Sequence, residues 1–280
     1  MHVELFTSFR SVFFTDRQGL NEPTVPVKKT GTNYLRRNIP QLFFPPRLCA
    51  SAAKNWYLNL QIIPMSRLII ALLLMTSQLH AQTKAPIKFL ALGDSYTIGE
   101  SVAVDERWPE QLAAALRAKG KQIDGPRIIG VTGWRTDQLK KAIEEAQLKN
   151  DYGMVSLLIG VNNQYQKRTA ESYAPEFEEL LNIAIKLAGG KKENVFVVSI
   201  PDYGYTPFGK PRQAEITAAI DKFNETNLAI TKRLGVRYVN ITDLTREGLE
   251  KPEYVAGDGL HPSGKMYALW VKRILPVLGY

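Results

Sequence analysis

Beyond residue 81 the chain has no cysteine and only one histidine; Cys49, His2 and His80 all come earlier. A cysteine-free stretch from 82 to 280 has no disulfide and no thiol nucleophile, and needs no redox chemistry to stay folded in an oxidising compartment. One histidine among scattered carboxylates makes a poor zinc site, so these residues imply no metal and no other cofactor. No apolar run approaches the roughly 20 residues of a membrane-spanning helix. The longest, residues 68–75, has eight. A strong charge of one sign is also missing here: nine of the 36 basic and three of the 27 acidic residues fall in 1–81, leaving 27 and 24 beyond it, a net of +3. The apparent basicity of the whole chain, +9, therefore gives no warrant for nucleic-acid binding.

What is present begins with a leader. Residues 1–64 mix proline, aromatic and basic residues with no sustained period of two or 3.6, and form no recognisable domain. From Met65, one positive charge at Arg67, the eight apolar residues and a short polar tail ending in Ala81 have the layout of a secretory signal peptide. Synthesis is then expected to start at Met65, with residues 1–64 a disordered, non-native upstream extension, 65–81 the signal peptide, and 82–280 the secreted or periplasmic domain. No stable membrane span is expected after cleavage, and the domain is read as a monomer.

Residues 82–280 suffice for one domain with a sizeable core. Short apolar runs at 87–92, 127–131, 154–159, 195–200 and 236–241 alternate with stretches of helical period. Phe177, Leu180, Leu181, Ala184 and Ile185 mark one helix, closed by Gly189-Gly190; Ile216, Ile220, Phe223 and Ile230 mark another, and Met266, Leu269, Trp270 and Ile274 the last. The alternation predicts an α/β fold, a flavodoxin-like three-layer α/β/α sandwich around a five-stranded parallel sheet.

The residues just past these runs carry the chemistry. The first run ends in Gly93-Asp94-Ser95, the second leads to Gly133-Trp134, the third to Asn162-Asn163, and the stretch after the fifth holds Gly257-Asp258-Gly259-Leu260-His261. In a parallel sheet these all meet at the carboxyl edge of the strands, where open α/β sheets bind ligands. Ser95 is the candidate nucleophile there; a plain strand-to-helix turn capped by Asp94 or Ser95 is the simpler reading of the tripeptide alone. His261, three residues after Asp258, can take the Ser95 proton while Asp258 accepts from Nδ1.

These residues resemble the SGNH hydrolases, also called GDSL esterases and lipases, over roughly residues 86–280. Gly93-Asp94-Ser95 is similar to the first block of that family, Gly133 to the glycine of the second, Gly160-Val161-Asn162 to the third and Asp258-Gly259-Leu260-His261 to the fifth. The stretches from Gly93 to Glu100 and from Ile200 to Gly204 resemble bacterial secreted or periplasmic members. Two positions depart from the pattern: Asn163 stands where an aspartate is usual, and Ile128 where an asparagine often opens the second block. No Gly-x-Ser-x-Gly surrounds Ser95, which argues against an α/β-hydrolase elbow.

The resemblance implies a carboxylic ester hydrolase (EC 3.1.1 class), esterase- or lysophospholipase-like, that forms an acyl-enzyme on Ser95 with His261 and Asp258. Its oxyanion hole would use the Ser95 and Gly133 N–H groups and the Asn162 amide. Tyr96, Trp134, Asn163 and Tyr203 are the expected substrate contacts, with loops 100–108, 134–135, 165–173 and 202–212 choosing a small-molecule, lipid or acylated-sugar ester. An acyltransferase using the same three side chains, or a non-catalytic carbohydrate- or envelope-binding module, is the alternative; acyl length and leaving group stay open.

Overall fold

The computed structural model describes residues 85–280. The expected upstream extension, the signal peptide and Cys49 lie outside the described residues.

The first strand, β1 (Phe89–Gly93), is buried at every position. It runs into α1 (Ser95–Ile98), and after a loop the chain forms α2 (Trp108–Ala118) and β2 (Arg127–Ile129). Then follow α3 (Thr136–Glu145), β3 (Met154–Leu158), α4 (Val161–Tyr165), α5 (Ala170–Leu187) and β4 (Val195–Val198). The chain finishes with α6 (Gln213–Leu234), β5 (Arg237–Val239), α7 (Thr242–Thr245) and α8 (Gly264–Val277). All strand pairs are parallel, in the order β2-β1-β3-β4-β5. The expected α/β sandwich is the observed fold. Chain direction across the sheet reverses at β1, so the switch point lies between β1 and β3, the position at which such sheets bind ligands.

The helices form where apolar residues recur at helical spacing. In α2 the stripe Trp108, Leu112 and Leu116 is buried, and in α8 it is Met266, Trp270 and Ile274. These two helices pack on each other, and Trp108 reaches the sheet, its ring 6.4 Å from Phe89 and 6.3 Å from Phe196. On the other side of the chain's path, α5 packs against α3 and α6, with Tyr173 4.8 Å from Phe223. Caps set the starts: Thr169 Oγ1 accepts from the Ser172 N–H and Ser263 Oγ from the Met266 N–H.

The strands are shorter than their apolar runs. Past Val198 a side chain replaces the ladder: the Ile200 N–H donates to Asn224 Oδ1 at 2.8 Å, while Asn224 Nδ2 donates to the Ile200 carbonyl at 2.9 Å. Past Val239 the Ile241 N–H donates to Ser199 Oγ. Both residues stay buried, which is why hydrophobicity alone extends these strands too far. At the other edge Ile87 makes only an isolated bridge to Ile123.

The end of β1 requires glycine. A Cβ on Gly93 would lie 2.1 Å from Thr97 Oγ1 and 2.4 Å from the Leu158 carbonyl oxygen, so no side chain fits between β1 and β3 here.

The segment after β4 is anchored by a buried carboxylate. Asp202, fully buried, accepts from the Gly204 N–H at 3.0 Å, from Thr217 Oγ1 at 2.8 Å and from Arg246 Nε at 3.0 Å. Arg246 also reaches Asp221 at 2.5 Å. Arg246→Ala would leave that carboxylate short of one donor in a dry site. The expected loss is about 2 kcal/mol of stability, read from denaturant unfolding; an unchanged midpoint would show that the arginine does not hold this segment.

Candidate active site

Asp94 closes the turn out of β1. Its Oδ1 accepts from the Tyr96 N–H at 3.1 Å, and its carbonyl accepts from Thr97 and Ile98, so the turn enters α1 with Ser95 as first residue. Ser95 is 4% exposed. Asp94 is fully buried, and its Oδ2 has no hydrogen-bonding partner among the described residues. Burial pushes its carboxyl up to about 7, against the opposing pull of the Tyr96 backbone N–H.

Asp258 and His261 lie on a loop closed by backbone bonds. Val255 bridges Pro262 in antiparallel fashion, and the Ala256 N–H donates to the His261 carbonyl at 2.7 Å. Asp258 Oδ2 is 2.6 Å from His261 Nδ1, while Oδ1 accepts from the Leu260 and His261 N–H groups, each at 2.9 Å. Ser101 Oγ also donates to Oδ2, at 2.7 Å. Partial burial opposes ionisation of Asp258, but the bonds from His261, Ser101 and the two backbone groups outweigh it and hold the carboxyl down at about 2. A carboxylate kept charged beside Nδ1 selects the tautomer that leaves Nε2 free to accept a proton. The Tyr96 ring packs 5.2 Å from the imidazole.

Ser95, Gly133, Asn162 and His261 line one cavity of about 180 Å³ at the carboxyl ends of the strands. The hydrogen bonds of the described residues include none between Ser95 Oγ and His261; such contacts often tighten only around substrate. Gly133 has a φ of 84°, in the left-handed region, with open space where a Cβ would stand, so its glycine serves the backbone turn and not a tight fit. Asn162 Nδ2 donates to the Trp134 carbonyl at 3.0 Å, which fixes the amide plane and leaves its second N–H for another acceptor.

Of the four expected substrate contacts, Tyr96 and Tyr203 line the cavity; Trp134 and Asn163 do not. Trp134 is half-buried against the core and contributes its carbonyl to Asn162. Asn163 is fully buried: Oδ1 accepts from the Thr136 N–H at 3.2 Å, and Nδ2 donates to Thr136 Oγ1 at 2.7 Å and Glu176 Oε2 at 3.3 Å. This corrects its assignment and accounts for its identity, since an aspartate here would set a second carboxylate against Glu176 in a buried place.

Tyr165 and Phe208 complete the wall, 47% and 48% exposed with ring centroids 6.2 Å apart. Tyr203 joins them and is held by its hydroxyl donating to Gln164 Oε1 at 2.8 Å. The Phe208 N–H donates to the Gly259 carbonyl at 3.0 Å, tying this wall to the loop of Asp258 and His261. Phe208 and Tyr165 fall inside the expected substrate loops, but nothing in their spacing singles them out. Ser101, 157 residues from Asp258, leaves no sequence signal of its contact.

The family model described as the GDSL-like lipase/acylhydrolase family matches residues 91–269. The chain belongs to that family. The matched span runs from within β1 into α8 and so contains Ser95, Gly133, Asn162, Asp258 and His261. No curated protein matches the chain. Among solved structures, a member of the lipolytic G-D-S-L family from Veillonella parvula is 18% identical, with a TM-score of 0.53 over 68% of this chain and 97% of that one. An acetylxylan esterase from Geobacillus stearothermophilus is 20% identical, with a TM-score of 0.54 over 70% and 95%. A lipase/acylhydrolase from Enterococcus faecalis is 19% identical, with a TM-score of 0.53 over 69% and 96%. At such identities these likenesses establish the shared fold. Among the described residues there is no cluster of three or more metal-ligating side chains, and no helix long and apolar enough to cross a membrane.

Asp94 gives the site a pH signature in stability. The native state keeps a proton on Asp94 up to about pH 7, whereas the unfolded chain releases it near 3.8, so this contribution to stability falls as pH rises between those values. Asp94→Asn keeps an acceptor for Tyr96 and cannot ionise. Relative to wild type, the variant is expected to gain on the order of 2 to 3 kcal/mol between pH 5 and pH 8 in denaturant unfolding. A difference independent of pH would refute the elevated titration.

Proposed function

We propose that the protein hydrolyses carboxylic esters through an acyl-enzyme on Ser95. The observation that carries this reading is the 2.6 Å contact of Asp258 with His261 Nδ1, on a loop that lines the same cavity as Ser95. Ser95 Oγ attacks the ester carbonyl carbon as its proton passes to His261 Nε2. The bond to the leaving oxygen then breaks, and His261 returns the proton to that oxygen, releasing the alcohol. Water, deprotonated in turn by His261, attacks the acyl carbon; the Ser95 oxygen leaves, takes back the proton, and the carboxylic acid departs. Asp258 keeps the imidazole oriented and balances its charge in each half-reaction.

Charge that develops on the carbonyl oxygen would be met by three donors. As the first residue of α1, Ser95 has an N–H without a partner inside the helix. Gly133 N–H and the second N–H of Asn162 complete the set. Donors fixed in this way cost no reorganisation during reaction, and the Trp134 carbonyl supplies that fixity for Asn162.

Cavity size bears on the substrate. About 180 Å³ is small beside the roughly 300 to 1,000 Å³ of sites that enclose a drug-sized ligand. This supports a short acyl group inside, with the rest of the ester lying over the exposed faces of Tyr165 and Phe208. The short apolar run at 68–75 supports action outside the cytoplasm, on small or acylated-sugar esters that occur there.

Purified protein is expected to cleave p-nitrophenyl acetate and butyrate with kcat/KM at least about tenfold above that for long-chain esters, and Ser95→Ala is expected to abolish both activities. Equal activity in Ser95→Ala would remove the nucleophile. A preference for long chains would overturn the shallow pocket. Asn162→Ala is expected to lower kcat by roughly a hundredfold with little change in melting temperature; an unchanged rate would take Asn162 out of the oxyanion site.

A further inference from the structure

Ser101 stands six positions beyond Ser95, in the loop that leaves α1, with a φ of 64°. Residues other than glycine rarely occupy this left-handed region, and serine gains nothing from it by itself. Such a conformation persists where the surroundings over-determine it, and those places tend to be functional. Here the surroundings are explicit. The preceding residue, Glu100, donates its N–H to the Ser95 carbonyl at 3.0 Å and accepts from Thr132 Oγ1 through its carboxylate. The following residue, Val102, donates its N–H to the Gly99 carbonyl at 3.4 Å. The loop is thus tied to the nucleophile's own backbone and to the cavity wall beside Gly133.

The strained residue points its hydroxyl at one atom. Ser101 Oγ donates to Asp258 Oδ2 at 2.7 Å, and that same oxygen lies 2.6 Å from His261 Nδ1. The other oxygen, Oδ1, is already held by the Leu260 and His261 N–H groups. Those two bonds come from Asp258's own loop and hold Oδ1, not Oδ2. The Asp258 side chain is 29% exposed, so water competes for Oδ2. Among the described residues Ser101 is the one side chain from another part of the chain that donates to it.

We propose that Ser101 is a positioning residue for catalysis, holding Asp258 Oδ2 against His261 and linking the nucleophile loop to the histidine loop. The inference rests on the reading of Ser95, His261 and Asp258 given above. The unfavourable φ is then the conformational cost of bringing a hydroxyl to the carboxylate across 157 residues of sequence.

Two substitutions separate this role from a structural one, because they move stability and the hydrogen bond in opposite directions. Ser101→Gly removes the hydroxyl and relieves the left-handed backbone. Ser101→Thr keeps the hydroxyl and strains the backbone further, since a β-branched residue tolerates positive φ poorly. With p-nitrophenyl butyrate, Ser101→Gly is expected to melt at or above the wild-type temperature while kcat falls about tenfold to a hundredfold and KM stays within about twofold, as befits one hydrogen bond to a charged group. Ser101→Thr is expected to melt lower and recover most of the lost kcat. A Ser101→Gly enzyme with wild-type kcat, or rates that follow melting temperature across the two variants, would overturn the inference while the serine mechanism stood. Should Ser101→Thr fail to fold, the Gly variant decides alone. Ser95→Ala is measured alongside; wild-type activity in it would overturn the nucleophile and, with it, the role given to Ser101.

Discussion

The register of β1 between β2 and β3 is the constraint on which the site depends. Leu92 pairs with Ile129 on one side and Leu157 on the other, and Gly93 lies opposite Leu158. With all strands parallel, this register sets the ends of the three strands at one level, so the chain past each delivers Ser95, Gly133 and Asn162 to the same edge. The bare Cα of Gly93 permits the approach, since the Leu158 carbonyl occupies the space that a side chain would need. A shifted β1 would carry Asp94 and Ser95 out of reach of a loop that arrives more than 160 residues later.

Two carboxylates at this edge are driven in opposite directions by their surroundings. Asp94 is sealed beneath the turn with one backbone donor, and burial raises it to about 7. Asp258 is partly open to water but has four donors or close partners, and they lower it to about 2 despite the cost of partial burial. Asp94, beside Ser95, therefore serves the shape of the turn, whereas Asp258, beside His261, supplies lasting negative charge. Asp202 represents a third solution, a fully buried carboxylate satisfied by three donors, which holds the segment carrying Tyr203.

Local grammar made much of this legible. The runs that became β1 and β3 are apolar, short and bounded by turn residues, and the polar residues after them could be placed at one edge from strand direction alone. Asp258 and His261 were readable because they are close in sequence and His261 is the only histidine beyond residue 81. Contacts made by folding were not readable. Asn163 follows Asn162 directly, yet its side chain turns into a buried clasp with Thr136 and Glu176, a matter of helix rotation that one-dimensional spacing does not express. Trp134 acts through its carbonyl, which any residue possesses. Ser101 and Phe208 meet the histidine loop through long-range contacts, and Ile200 and Ile241 are apolar without being strand because side chains took over their ladder bonds.

Covalent trapping with a fluorophosphonate reads out the activated serine itself. The protein is incubated with a fluorophosphonate and digested, and the modified peptide is located by mass spectrometry, with His261→Ala treated in parallel. A single stoichiometric adduct is expected on Ser95, forming far more slowly in His261→Ala. An adduct on another residue, or no adduct on a protein that still cleaves esters, would contradict an acyl-enzyme on Ser95.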